Sequence, residues 1–341
     1  MPANLTPEYK AAAAAFRGAR DPEDRLNCLR EMLRTIPKHK GTEHLQGDIK
    51  RRIRELTEEL EGPKKGAARG GPALVIRPEG AAQIVLVGPP NSGKSLLHAR
   101  LTDSGAQSAP YPYTTQYPEP GMMPYEDIQF QLVDLPPMAA AHPLPWIANT
   151  LQSADSCLFV IDLGSAACLE EAEAVHTVLR ERRVLLTQYW TAPPGAADTG
   201  TDTDEDPFTL RLPTLMLANK IDQIADPAAE LGTFLELTGL RYPVMPVSAS
   251  TGSGLGGIGP WLFSHLGIVR VYTKAPGRPP NKERPFTLHR GQTVEHIALL
   301  VHKDLAHSLK YARVWGTSGF DGQHVGRDHA LSDGDIVELY T

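Results

Sequence analysis

The chain has 341 residues, with 34 Lys+Arg against 40 Asp+Glu and a formal net charge of −6. That length suits two or three domains, each able to bury its own core. No apolar run approaches a membrane span, and the start MPANLTPEYKAAAAAF lacks a basic stretch followed by a cleavable apolar core, so a cytoplasmic protein without membrane contact is expected. Cys28, Cys157 and Cys168 form no C-x-x-C pair, which favours reduced thiols over a metal site or disulfides. Residues 1–80 carry 16 basic and 12 acidic side chains, residues 81–267 carry 8 and 20, and residues 268–341 carry 10 and 8. The acidic centre would repel a nucleic-acid backbone, so any such contact is expected on the flanks.

After an Ala-rich start, Asp21-Pro22 reads as a helix cap followed by proline at the first helical position, and Leu26, Leu29, Leu33 and Ile36 recur at helical spacing. Pro37 to Gly41 interrupts the pattern. Leu45, Ile49, Ile53, Leu56 and Leu60 then mark a second helix, so residues 1–80 are expected to hold a helical hairpin followed by a basic Gly/Pro linker over 62–72. Lys50, Arg51, Arg52 and Arg54 lie on its outer face, where Glu55, Glu58 and Glu59 can balance them.

The stretch Ile84 to Leu97, IVLVGPPNSGKSLL, joins a β-branched apolar run to Gly88-Pro89-Pro90-Asn91-Ser92-Gly93-Lys94-Ser95, the full G-x-x-x-x-G-K-[ST] spacing. Glycines at both ends let backbone N–H groups wrap a phosphate chain, and the helix opening near Ser95 and Leu96 aims its orphan amides and dipole at the same anion. Lys94 is expected to reach the outer phosphates and Ser95 to ligate Mg²⁺. Residues 109–121 are polar and proline-rich, as a mobile loop would be, and Thr115, with Thr114 beside it, can supply a hydroxyl to that Mg²⁺. Ile128 to Val133 alternates like a strand and delivers Asp134, a candidate carboxylate for a metal-bound water.

Cys157–Ile161 reads as a buried strand, 170–183 as a helix, and 191–206 as an acidic insertion without periodicity. Leu215 to Ala218 is another buried strand that runs into Asn219-Lys220-Ile221-Asp222. A carboxylate at Asp222 can accept from the N1–H and exocyclic amine of guanine, whereas adenine would leave it unpaired. Such donor–acceptor matching discriminates by roughly 10⁴. The strand Val244–Val247 leads into Ser248-Ala249-Ser250, whose Ala249 N–H could donate to the guanine O6. From Ile268 onward, short strands at 268–272, 286–288, 310–315 and 335–340 and a helix at 294–301 read as a small mixed unit. The six histidines of that segment are scattered, which argues against a metal centre.

GPPNSGKS, YPYTTQYPEPGMM, DLPP, NKID and SAS, in this order, resemble the translation-factor class of GTPases, within it the Obg family and especially the developmentally regulated GTP-binding (DRG) branch. IPKHKGTEHLQGDIKRRIREL is similar to the segment that precedes the G domain there. VRVYTKAPGRPP, LHRGQTVEHIA and LSDGDIVELYT resemble a TGS domain, a β-grasp module. The fold this implies is α/β: a helical hairpin and linker (1–80), a P-loop G domain with a mainly parallel sheet and helices on both faces (81–267), and a TGS domain (268–341). The resemblance further implies GTP/GDP binding, GTP hydrolysis on Mg²⁺, and contact with the ribosome or structured RNA.

Two departures bear on turnover. Where the family pattern has D-x-x-G, the chain has Pro137, which lacks the N–H that contacts the γ-phosphate, and a charge-assisted bond worth ~1.5–3 kcal/mol goes with it. Met138 follows where Ras-like enzymes place a water-orienting glutamine, as an apolar residue does in the Obg family. Asn91 matches the asparagine that holds K⁺ in related potassium-stimulated GTPases, so slow, K⁺-stimulated hydrolysis is expected. The rival expectation is a non-catalytic guanine-nucleotide-binding scaffold; an ATPase conflicts with NKID. Residues 134–219 leave no room for the small domain that DRG proteins insert after this point.

Overall fold

The computed structural model describes residues 5–19, 21–38, 40–61, 76–102, 117–138, 147–190, 208–275 and 277–341. The expected linker, Thr114 and Thr115, and the acidic insertion lie outside these residues.

Three helices open the chain: α1 (Pro7–Gly18), α2 (Pro22–Thr35) and α3 (Glu43–Glu61). Asp21 caps α2 as its sequence predicts, accepting from the Glu23 N–H at 2.8 Å. The hairpin expectation missed α1, although Thr6-Pro7 carries the same signal; the Thr6 hydroxyl accepts from the Tyr9 N–H at 3.2 Å. Tyr9, Phe16, Leu29, Met32, Ile36 and Ile49 form the shared core, joined by Phe208 from the central domain. The expected basic face is partly engaged. The Arg52 guanidinium lies 4.3 Å from the Phe208 ring centroid, and Arg51 pairs with Asp48 at 2.9 Å.

The central unit runs β1 (Gln83–Val87), α4 (Lys94–Thr102), β2 (Glu119–Tyr125), β3 (Ile128–Asp134), α5 (Ile147–Gln152), β4 (Ser156–Asp162), α6 (Cys168–Glu181), β5 (Val184–Thr187), β6 (Leu210–Asn219), α7 (Pro227–Thr238), β7 (Val244–Pro246) and α8 (Ile258–His265). The strands form one sheet in the order β2-β3-β1-β4-β6-β5, with β7 also paired to β6. Among the described strands of this sheet, only the β2–β3 pair is antiparallel. Because β1 and β4 are buried on both faces, they read in the sequence as apolar runs, whereas β3, with Gln129 exposed, reads as an alternation. Val175, Leu179 and Phe234 of α6 and α7 cover one face, and Leu97, Ile258 and Leu262 of α4 and α8 cover the other. The part of the expected mobile loop at 119–121 is instead the start of β2.

The C-terminal unit comprises β8 (Ile268–Thr273), β9 (Asn281–His289), α9 (Val294–Val301), α10 (Lys303–Ser308), β10 (Tyr311–Trp315), β11 (Gln323–Val325) and β12 (Asp335–Tyr340). Its sheet is ordered β11-β10-β12-β8-β9, and β12 and β8 are parallel. Val271, Ala312, Val314 and Val337 pack against Val294, Ile297 and Ala298 of α9. The strand β11 and helix α10 are additions to the pattern read from the sequence. Among the described residues, no helix is long and apolar enough to cross a membrane.

The two sheet-bearing units meet at the β2–β3 turn. Arg270 of β8 donates to Glu126 and, at 3.1 Å, to Asp127; it also forks onto Asp333 at 3.0 and 2.8 Å, with its guanidinium 4.8 Å from the Phe263 ring centroid. The Tyr272 hydroxyl donates to Asp127 at 2.5 Å.

Candidate nucleotide site

The parallel register brings the site together at the carboxyl ends of the strands. Leu86 of β1 pairs with Asp134 of β3, and Asp162 of β4 pairs with Asn219 of β6. Ligands of open α/β sheets bind at this edge. The loop Gly88–Gly93 leaves β1 there and passes into α4. A Cβ on Gly88 would lie 2.2 Å from the Val160 carbonyl oxygen of β4, so only glycine lets the loop sit this close to the sheet. Asn91 (φ 59°) and Gly93 (φ 91°) turn the backbone through the left-handed region. The Ser92 hydroxyl closes the turn by donating to the Pro89 carbonyl at 3.0 Å.

Lys94 is buried, and its ammonium donates to the carbonyls of Gly88 and Pro89 at 3.0 and 2.8 Å. It is thus folded over the loop rather than extended beyond it as the sequence reading expects. Burial lowers its pKa to about 8, opposed by the nearby Asp134 carboxylate. The Ser95 hydroxyl donates to Asp134 Oδ2 at 2.5 Å, so two oxygen donors suited to a hard cation converge beside the loop. Burial pushes the Asp134 pKa up, against the opposing effects of Ser95 and Lys94. Beyond Asp134, the chain returns to the loop: the Met138 N–H donates to the Gly88 carbonyl at 3.2 Å. The Met138 side chain is 2% exposed, among Leu135, Phe159 and their neighbours.

The second half of the site is tied to the first by one side chain. Asn219, buried, donates through Nδ2 to the Ser92 carbonyl at 2.8 Å and accepts through Oδ1 from the Ala249 N–H at 3.0 Å. The Ala249 amide, expected to face a guanine O6, is therefore engaged by Asn219 here. Lys220 takes a left-handed conformation (φ 64°) and pairs with Asp162 at 2.6 Å. Asp222 is exposed; its two carboxylate oxygens accept from the Ser248 and Ser250 hydroxyls at 2.6 and 2.9 Å, which hold its pKa below the ordinary carboxylate value. Pro90, half-buried, and Leu96, at the first turn of α4, complete the loop named from the sequence.

Two neighbours escaped the sequence reading. Asp162 ends an apolar strand at the same sheet edge as Asp134 and Asn219, and that shared position is the signal that could have found it. Arg100 donates from α4 to the Ser250 carbonyl at 2.9 Å, a contact across 150 residues with no local signature.

A phosphate loop opening a helix, a carboxylate at the end of β3 and an N-K-x-D corner on one doubly wound sheet define a P-loop GTPase. Comparison with known proteins agrees: residues 83–188 match the family described as 50S ribosome-binding GTPase, and residues 269–341 match the TGS domain. The central domain is thus similar to ribosome-binding GTPases, and the C-terminal unit to TGS domains. A GTP-binding protein of Halobacterium salinarum is 28% identical over 369 aligned residues, covering 93% of this chain and 98% of that one. The developmentally-regulated GTP-binding protein 1 of Xenopus laevis is 28% identical over 362, covering 91% and 96%. The YchF GTPase of Schizosaccharomyces pombe shares the fold with a TM-score of 0.52, at 14% identity over 77% of this chain and 99% of that one.

Proposed function

We propose that this protein binds GTP and GDP at the Gly88–Leu96 loop and the Asn219–Asp222 corner, hydrolyses GTP slowly, and engages the ribosome or structured RNA through its flanking domains. The observation that carries the reading is Asn219, which hydrogen-bonds the phosphate loop and the Ser248–Ser250 loop at once and so holds the two halves together as one site. Lys94 and the loop amides neutralise phosphate charge. Asp222, oriented by Ser248 and Ser250, reads the N1–H and amine of guanine, with Lys220 and Ala249 framing the base. Ser95 and Thr115 would hold Mg²⁺, and Asp134, which accepts from the Ser95 hydroxyl, would orient that ligand. Bound Mg²⁺ would offset charge on the transferring phosphoryl group. Asn91, exposed at the loop's tip, is the residue assigned to a K⁺ ion beside the phosphates. No side-chain general base is proposed.

A second reading, a guanine-nucleotide-binding scaffold without turnover, is favoured by the chain after Asp134. Pro137 has no N–H, and the next amide, that of Met138, already donates to Gly88. Single-turnover GTP hydrolysis with and without ribosomes, in K⁺ and in Na⁺, decides between them. Cleavage that is faster in K⁺ and lost in Lys94→Ala supports the enzyme. Tight GTP binding with no cleavage in any condition supports the scaffold, and equal rates in the two salts remove Asn91 from its role.

A further inference from the structure

The outer face of the C-terminal sheet, opposite α9, is divided between two surroundings. At β8, Arg270 and Tyr272 turn onto the β2–β3 turn of the GTPase domain. Across β10, β11 and β12, the face presents rings. Tyr340 and Tyr311, directly opposite in the ladder, stack with centroids 4.6 Å apart and planes 15° apart; Tyr311 and His324 continue the stack at 3.9 Å and 26°. Three rings on three adjacent strands thus form a short column that ends on the edge strand with the exposed His324. Arg313, exposed, lies 5.6 Å from the Tyr340 ring centroid. Lys274 sits 3.7 Å from the centroid of Trp315.

Both acids on these three strands are already satisfied. Asp335 is buried and accepts from the backbone N–H groups of Thr317 and Ser332 at 2.9 and 2.8 Å. Glu338, 3% exposed, takes Lys274 at 3.0 Å and the Tyr340 hydroxyl at 2.6 Å. On these strands the solvent-facing charge is therefore cationic, beside a column of π-faces with an open end.

We propose that this half-face is a docking site for single-stranded RNA. An unpaired base extends the ring column on the free side of His324, and Arg313 meets the adjacent phosphate. Stacking accepts any base, and only an unpaired strand offers base faces, so the site takes single strands in preference to duplex. The inference rests on the proposed RNA contact of the flanking domains and assigns its location.

The test is fluorescence anisotropy of the full chain with a labelled oligouridine of about twelve nucleotides. Duplex RNA, single-stranded DNA of the same sequence and an acidic peptide serve as competitors. Arg313→Glu and His324→Ala change exposed side chains, and Lys303→Glu makes the same charge change on α10, away from this face. Each substitution at the proposed site should weaken binding about tenfold while Lys303→Glu does not. Equal losses in Arg313→Glu and Lys303→Glu, equal affinity for duplex, or stronger competition by the peptide would overturn the proposal; the last outcome would point to a protein partner. Ribosome co-sedimentation and GTP binding on the same samples separate two failures. If Arg313→Glu co-sediments as the unaltered chain does, this site is wrong and the ribosome reading survives. If the unaltered chain does not co-sediment, the ribosome reading itself fails.

Discussion

At Asp222, a carboxylate is held by two serine hydroxyls, and its chemistry decides the base. Replacing it by Asn substitutes an amide that must donate where guanine also donates. Asp222→Asn should weaken GTP by about two orders of magnitude or more, while xanthosine triphosphate, whose 2-oxo group accepts, gains affinity; titration calorimetry with both nucleotides checks this. Pro137 is the complementary case, a residue whose effect is a missing donor. Pro137→Gly restores an N–H next to the Met138 amide. It should raise the preference for a non-hydrolysable GTP analogue over GDP by about tenfold, the equivalent of one charge-assisted bond, as read from the ratio of the two Kd values. Asp222 was read from a carboxylate just past the end of a buried strand, and Pro137 only against the D-x-x-G pattern that the family resemblance supplies. The engagement of Ala249 by Asn219 was not legible, since it depends on how closely two loops 30 residues apart approach.

The elements that the sequence reading recovered are those whose signal is local and continuous. β1, β4 and β6 lie inside the sheet and show apolar runs, β3 shows an alternation, and Asp21-Pro22 announces α2 by its cap. β2 was hidden because its sequence, EPGMMPY, contains two prolines and a glycine. It tolerates them as an edge strand, paired only with β3, where a missing donor on the open side costs no ladder bond. β5 and β11 are likewise edge strands, four and three residues long, too short for alternation to register. The joint between phosphate loop and base loop belongs to this scale. Asn219→Ala would leave the Ser92 carbonyl and the Ala249 N–H without their partner, at about 1–3 kcal/mol each. Urea unfolding should detect that loss, and GTP binding should fall together with it.

Across the whole molecule, one cation faces three carboxylates where the GTPase and TGS domains meet. The Arg270 and Tyr272 hydrogen bonds hold the pKa of Asp127 below the ordinary carboxylate value, and Arg270 does the same for Asp333, in each case against the opposing effect of burial. Carboxylates depressed in this way stabilise the folded joint above their unfolded pKa values and lose that contribution as pH falls through the lowered, folded ones. Arg270→Gln should therefore lower the Tm at neutral pH, and the gap between variant and unaltered chain should close only below the usual carboxylate range. A gap that is independent of pH would show that the contact is steric.

The connection between α8 and β8 is only Leu266 and Gly267. So short a tether keeps Arg270 beside the β2–β3 turn at an effective concentration in the millimolar range or above. Pairs that two free proteins could not use to find each other are then sufficient, because the search has been made by the covalent chain. The contact surface need not be large or apolar, and its affinity resides in chain continuity as much as in Arg270. Cleavage of the backbone at Gly267 should therefore let the two domains separate at micromolar concentration with every contacting side chain intact, which size-exclusion chromatography of a chain cut at an engineered protease site would reveal.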